Sequence, residues 1–483
     1  MKHIHNNSAQ AERFGTVGIE NSWAIFTFAL LACLLALLAI PAAAQPNAES
    51  SNMVLVGHND LDGNGDGGEG LALQQLSDGR KILYFAHSGR EQCLSIIDVS
   101  NPEAPLLVNQ LPSPAPGVTR CNSLGYANGV LAVANETATV GLSPAGLWVL
   151  DVSDFDAVTS AQSLDDLKLS FFDASGEDSR GAHNVWFVDG EFAHLAAGMP
   201  DFHPLSPKDD NLWLTLDLRD PSNPKEVGRW WLPGVDRSDD CLPECLPARH
   251  DPFDNGYRPH QVFMHPDSPD RGYMGYIDGG AMIFDTSGLE DVRAGRAETY
   301  TPELISRVEF HPPYTAWTHT FQPMLGRQLA WASDEATSDN CADSPKIIWL
   351  LDIRAETNPI IIGTSPLHEN DGELCERGGR FGAHNIHPNM PGPLYANLQN
   401  TTVSAWFNGG IRIYHAEPGP VGMPDAPAHI KEIGFYIPAA PERNPSTSQS
   451  NHLIVDAEGY IYVQERHTGG LYILRYTGEV PLD

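Results

Sequence analysis

The sequence predicts an all-β fold, a seven-bladed β-propeller with four-stranded antiparallel blades, and three observations carry that expectation. A run of alternating apolar residues closed by an acidic or polar residue recurs seven times, at residues 94–98, 147–151, 213–217, 281–285, 348–352, 411–415 and 471–475. Each copy follows a second alternating run with a Gly or Asp turn, as in Val185-Trp186-Phe187-Val188-Asp189-Gly190, which is a hairpin signal. With 44 Gly and 38 Pro in 483 residues, turns interrupt the chain too often for long helices.

The copies lie roughly 50 to 70 residues apart, the size of a four-stranded blade with its loops. One hydrophobic core stops growing at roughly 250 to 300 residues, and a repeat architecture escapes that limit. Asp98-Val99-Ser100-Asn101-Pro102 and Asp217-Leu218-Arg219-Asp220-Pro221 follow two copies with residues that initiate turns, so strands end there. Radial closure buries the faces of such blades and protects their edges, which favours a ring over an open solenoid. His415 and Arg475 stand where the other copies end in Asp, so the last two blades are expected to close differently.

The copies Leu94-Ser95-Ile96-Ile97-Asp98 and Leu147-Trp148-Val149-Leu150-Asp151 resemble the LVIVD-repeat family of bacterial exported propellers. Gly382-Ala383-His384-Asn385 and Thr468-Gly469-Gly470-Leu471-Tyr472-Ile473-Leu474 match as well. The resemblance implies a propeller and brings no agreed biochemical activity.

Residues 1–44 read as an export signal: Lys2 and Arg13 precede an apolar run over 24–40, and Pro41-Ala42-Ala43-Ala44-Gln45 supplies a small-residue cleavage site. Retention as an uncleaved anchor is the alternative, because spanning takes about 20 apolar residues. Residues 45–52 then form a short linker, 53–478 the propeller and 479–483 a C-terminal tail, in a periplasmic or secreted protein. Outside the signal, Cys93, Cys121, Cys241, Cys245, Cys341 and Cys375 are an even set, as disulfides in an exported protein require. Proximity pairs Cys93 with Cys121, Cys241 with Cys245 and Cys341 with Cys375; a zinc half-site at Cys241 and Cys245 is the other reading.

Against 29 Lys and Arg stand 62 Asp and Glu, a net charge of -33 that repels phosphate backbones and anionic lipids. This excludes nucleic acid as a partner, and nothing beyond the N-terminal segment reads as membrane-inserted. A monomer is expected.

Aligned by their turn glycines, the hairpins place His183, His260, His319, His384 and His452 at one equivalent point, before the first strand of five successive blades. The matching positions are Asn122 in the second blade and the region of Ala72 in the first, with Glu69 just upstream. Innermost strands line a propeller's channel, so these imidazoles are expected to converge on a divalent transition metal such as iron, copper or zinc. Glu69, Glu136, Asp278, Glu335 and Glu465 are candidates to orient the rings. The plainer alternative has each His bonding a neighbouring blade through backbone carbonyls. Only metal or proton chemistry favours imidazole at all five positions, because Ser, Thr, Asn or Asp could make a structural bond equally well. The architecture is similar to propeller enzymes that hold a metal on axial histidines, namely the carotenoid oxygenases and the selenium-binding, methanethiol oxidase family. His265, His311 and His387 could join the set by spacing alone.

A calcium loop is a second candidate, with Asp60, Asp62, Asn64 and Asp66 alternating with small residues, although Leu71 occupies the position where an EF-hand has Glu. No phosphate loop, Gly-x-Ser-x-Gly elbow or His-Glu-x-x-His pattern is present, which argues against nucleotide hydrolysis, α/β-hydrolase chemistry and zincin proteolysis. Two functions remain. The first is a metal-dependent exported enzyme, an oxidoreductase before a lyase or hydrolase, acting on a small-molecule substrate with Glu136 and Glu335 as catalytic acid or base groups. The second is a non-catalytic surface or periplasmic scaffold for protein or glycan ligands.

Overall fold

The computed structural model describes residues 47–483 except 251–252, 312, 316, 368–370, 418–429 and 442–446, so the expected export signal lies outside the described residues. The fold is all-β and propeller-like, made of antiparallel sheets of four strands joined by short turns and a few one- or two-turn helices. Five sheets have four strands and one has eight. In the latter, the run from Gly67–Gln75 to Leu106–Pro112 meets the run from Thr119–Ala127 to Lys168–Asp173 through a single pair, His87 with Cys121. The disulfide Cys93–Cys121 crosses that seam. Cys241–Cys245 and Cys341–Cys375 also pair as their order in the chain suggests, so neither Cys241 nor Cys245 is a free zinc ligand.

Each recurring apolar segment is an interior strand with neighbours on both sides, as in Gln92–Asp98, Leu212–Asp217 and Leu471–Tyr476. Both faces pack against other sheets, which is why these strands read as nearly continuous apolar runs. The terminal Asp has a local cause. In five copies its Oδ1 accepts the backbone N–H two residues on: Asp98 from Ser100, Asp151 from Ser153, Asp217 from Arg219, Asp285 from Ser287 and Asp352 from Arg354, at 2.9–3.0 Å. That Asx bond turns the chain out of the sheet. Between Thr119–Ala127 and Val130–Thr137 the two-residue turn Asn128-Gly129 has φ of 53° and 82°, the left-handed pair a tight hairpin needs.

The chain's first strands complete its last sheets. Glu49–Ser51, within the segment expected as linker, pairs with Ile430–Ile437, and Met53–Asn59 pairs with Leu471–Tyr476. The last sheet in turn bonds the first: Asn451 Nδ2 donates to the Gly68 carbonyl at 2.7 Å, and Gln464 Nε2 donates to that of Ala86 at 2.8 Å. The C-terminal tail also docks, with the N–H of Asn400 donating to the Asp483 carbonyl. The sheet closed by Glu49–Ser51 has an irregular inner segment. Residues around His384 are tied to Thr401–Ala405 by the Ile386–Ser404 bridge and by the His384 and His387 N–H groups, which donate to Ala405 and Val403. Pro388 and Pro391 then remove the donors a longer ladder would need.

Candidate metal centre

The innermost strands share an irregularity that aims their side chains. Register slips between Ala182 and Asn184, Pro259 and Gln261, and Thr318 and Thr320 leave His183, His260 and His319 as unpaired bulge residues. A bulge turns its extra residue out of the strand's alternation. In the first sheet the slip runs from Gly67 to Leu71 and holds Gly68, Glu69 and Gly70. A Cβ on Gly68 would lie 2.4 Å from the Asn122 carbonyl oxygen, and one on Gly70 would lie 2.3 Å from the Leu124 nitrogen. Only glycine on either side lets this backbone lie against its neighbour, and that approach points Glu69 inward. The first sheet's counterpart of the histidines is therefore Glu69, not the neighbourhood of Ala72.

His183, His260, His319 and His384 meet around Glu69 and Glu335. His183 Nε2 is 3.0 Å from His260 Nε2, and His319 Nε2 is 3.3 Å from Glu69 Oε2. His260 Nε2 lies 3.9 Å from both Glu69 and Glu335, while His384 Nε2 lies 3.6 Å from Glu335 and 4.0 Å from Glu69. Ring centroids step by 4.6, 3.8 and 4.3 Å from His183 through His260 and His319 to His384. Among the described residues, three sets have ligand atoms within 4.8 Å of one another: Glu69 with His183 and His260, Glu69 with His319 and His384, and Glu335 with His260 and His319.

The outer nitrogens of three rings are already engaged. His183 Nδ1 lies 3.0 Å from Glu136 Oε2, His319 Nδ1 lies 2.7 Å from Thr320 Oγ1, and His384 Nδ1 lies 2.7 Å from the Asn451 carbonyl. Protonation at Nδ1 in His183 and His384 leaves Nε2 of each as a lone pair facing the centre. His384 Nε2 is buried with no hydrogen-bond partner, and so is His260 Nδ1.

Burial, then the crowding by His319, holds the pKa of His260 and of His384 well below the usual imidazole value, so both are neutral near pH 7. Burial alone would raise Glu69, but His260 and the bond to His319 outweigh it and keep its carboxyl well below the ordinary range.

Of the two predicted acid or base groups, Glu335 stands at the centre and pairs with Arg380 Nη1 at 2.9 Å. Glu136 stands behind His183, held by Arg120 Nη2 at 2.6 Å and Arg180 Nη1 at 2.9 Å. His452 belongs to none of the three sets. Its strand slips between Ser450 and His452, so the bulge residue is Asn451 and His452 stands one position on. Burial pushes its pKa down to about 3. Asp278 and Glu465 are turned to backbone: Asp278 accepts from Asn255 and Gly256, and Glu465 from Gln449, His467 and Gly469. In the acidic loop, Asp66 Oδ1 lies 2.6 Å from His87 Nδ1, Asn64 Nδ2 donates to Gln110, and its carboxylates form none of the converging sets.

The sequence pattern marks Glu69 as an orienting or channel-facing group and gives no place to a set of arginines. Their signal is positional: Arg180, Arg258 and Arg380 precede His183, His260 and His384 by three, two and four residues.

Four-stranded sheets closing on one another around a polar centre define a β-propeller-like protein. No protein-family model matches the chain, and no curated protein matches it. Among solved structures it is similar to the β-propeller domain of Cps50 (Swd1) from Myceliophteria thermophila, 11% identical over 88% of this chain and 99% of that one, with a TM-score of 0.47. It is also similar to the C-terminal WD40 domain of Sif2, 10% identical over 83% of this chain and 80% of that one, with a TM-score of 0.42. Likeness at that level carries no argument about site or partner, and the fold class rests on the sheets themselves. Among the described residues no helix is long and apolar enough to cross a membrane.

Proposed function

We propose that this chain is an exported seven-bladed propeller of the LVIVD-repeat type that holds a transition-metal ion at the inner ends of its blades. The observation that carries this reading is the shared orientation of His183, His260, His319 and His384: their Nε2 atoms face Glu69 and Glu335, while Glu136, Thr320 and the Asn451 carbonyl engage the Nδ1 atoms of three of them. Four imidazoles with carboxylate oxygens suit iron, copper or zinc. Seven blades follow if the eight-stranded sheet divides at its single His87–Cys121 pair. Export is supported by three disulfides, which persist in oxidising compartments.

Bound there, an ion would supply Lewis-acid or redox chemistry at an open coordination position, with oxidoreductase activity as the first class to assay. Glu136 acts as a positioning residue that fixes the His183 ring, and Glu335, within reach of His260 and His384, is the group placed to move a proton. The test is elemental analysis of protein purified from the periplasm. Near-stoichiometric transition metal is expected in the native chain and its loss in His260→Ala. Absence of transition metal from the native chain overturns the reading and leaves the scaffold for protein or glycan ligands.

A further inference from the structure

Behind the histidines, a chain of side-chain hydrogen bonds links the innermost segments of four sheets, and its direction is set at one end. The Asn451 carbonyl can only accept, so Asn385 donates to it through Nδ2 at 3.1 Å and turns Oδ1 towards Gln261. Gln261 donates through Nε2 to that oxygen at 3.0 Å and accepts the Thr320 hydroxyl through Oε1 at 2.7 Å. With its one hydrogen spent there, Thr320 Oγ1 meets His319 Nδ1, 2.7 Å away, as an acceptor. The proton that this ring keeps when an ion takes Nε2 therefore already has its partner. Gln261, Thr320, Asn385 and Asn451 are all buried, so each bond counts and solvent does not replace a missing one.

The same carbonyl ends a second path. His384 Nδ1 lies 2.7 Å from it, and the Asn451 side chain donates through Nδ2 to the Gly68 carbonyl at 2.7 Å, next to Glu69. One connected group of bonds thus holds His319, His384 and the backbone beside Glu69, and those three residues form one of the sets whose ligand atoms converge. The other two sets both contain His260. No hydrogen bond holds that ring from behind: its Nδ1 is buried without a partner, and its Nε2 faces His183 Nε2 at 3.0 Å.

We propose that Glu69, His319 and His384 anchor the ion, with Gln261, Thr320, Asn385 and Asn451 as positioning residues. This deepens the metal-site reading and rests on it. A ring whose outer N–H is held presents its other nitrogen in a fixed direction, so binding there costs less ordering than at a ring without that hold. His260, with Nε2 3.9 Å from Glu69 and from Glu335, joins as the fourth group. His183 enters only the set that depends on the unheld His260, and it stays outside.

Competition titration of the metal-stripped full chain against a chelator, with zinc(II), copper(II) and iron(II) in turn, tests this, alongside thermal melts of the metal-free protein. Thr320→Val and Gln261→Leu are each expected to weaken binding roughly ten- to hundredfold, the cost of losing a bond behind a ligand, and Thr320→Ser to restore it. Thr215→Val removes a buried hydroxyl 3.1 Å from His194 Nδ1, outside the converging sets, so it should lower the melting temperature and leave the affinity unchanged. His183→Ala should still bind the ion, whereas His319→Ala should not. Native affinity in both Thr320→Val and Gln261→Leu, an equal loss in Thr215→Val, or loss of the ion in His183→Ala overturns the proposal and leaves the metal reading standing. If Gln261→Leu does not fold, the contrast between Thr320→Val and Thr320→Ser decides. A native chain that binds none of the three metals overturns the metal reading, and the proposal with it.

Discussion

His384 and His387 stand three residues apart in one irregular segment, are both fully buried, and do opposite things. His387 is finished by backbone: its Nε2 lies 2.8 Å from the Ala396 carbonyl, and its Nδ1 accepts the Val455 N–H at 3.1 Å. His384 bonds the Asn451 carbonyl through Nδ1 and leaves Nε2 facing Glu335 with no hydrogen-bond partner. His87 repeats the first pattern, with Asp66 on one nitrogen and Ser95 on the other. Burial and residue type are the same in both classes. What separates His384 from the histidines whose two nitrogens are both bonded is a nitrogen that is left without a bond and faces Glu69 and Glu335.

Alanine at each position probes that contrast most strongly. His384→Ala is expected to lose bound metal altogether with little change in secondary structure. His387→Ala should retain the metal but unfold at lower temperature, because the Val455 N–H is left buried and unpaired at a cost of about 1–3 kcal/mol. Metal content and thermal melts on both variants decide it, and the contrast fails if both lose metal equally or neither does.

A weaker effect follows from protonation of the structural histidine. Burial pushes the His387 pKa down to about 4, whereas an unfolded histidine titrates near 6.5. Above pH 6.5 the ring is neutral in both states and its stabilising bonds are fully present. As pH falls from 6.5 towards 4 the unfolded chain takes up a proton that the folded one refuses, so stability is lost at roughly 1.4 kcal/mol per pH unit. The stability advantage of the native chain over His387→Gln should therefore shrink by about 2 kcal/mol between pH 7 and pH 5. Denaturant melts at the two pH values measure it, and a constant gap would mean that His387 titrates normally in the fold.

Much of the fold was legible because its signals are local. The Asp that ends five of the repeats reports a bond to a residue two positions away, and the apolar run before it reports a strand buried on both faces. Pairing of neighbouring cysteines was legible for the same reason. Closure of the last sheets by Glu49–Ser51 and Met53–Asn59 was not, since strands about 380 to 420 residues from their partners carry no mark of that pairing. The centre was half legible. Recurrence of His at hairpin entries marked His183, His260, His319 and His384, but their common orientation depends on bulges, and an extra residue in a strand changes neither composition nor the look of an alternating run. Glu69 was named as an orienting group and not as a counterpart of the histidines for that reason, although the glycines that flank it record the close approach that aims it.

The smallest effect expected is none at all, at His452. Alignment by turn residues equates it with the other four, while the register equates Asn451 with them. Asn451 uses its side chain on the Gly67 and Gly68 carbonyls and its own carbonyl on His384, so the bulge position of the last sheet supports His384 instead of adding a fifth imidazole. Since side chains alternate between faces along a strand, one step of register changes which residue stands at the bulge position, and His452 belongs to none of the converging sets. His452→Ala should therefore keep the native metal content and affinity, as elemental analysis and competition with a chelator would show. Loss of the ion in that variant would mean that the alignment of turns, and not the register, identifies the fifth member of the set.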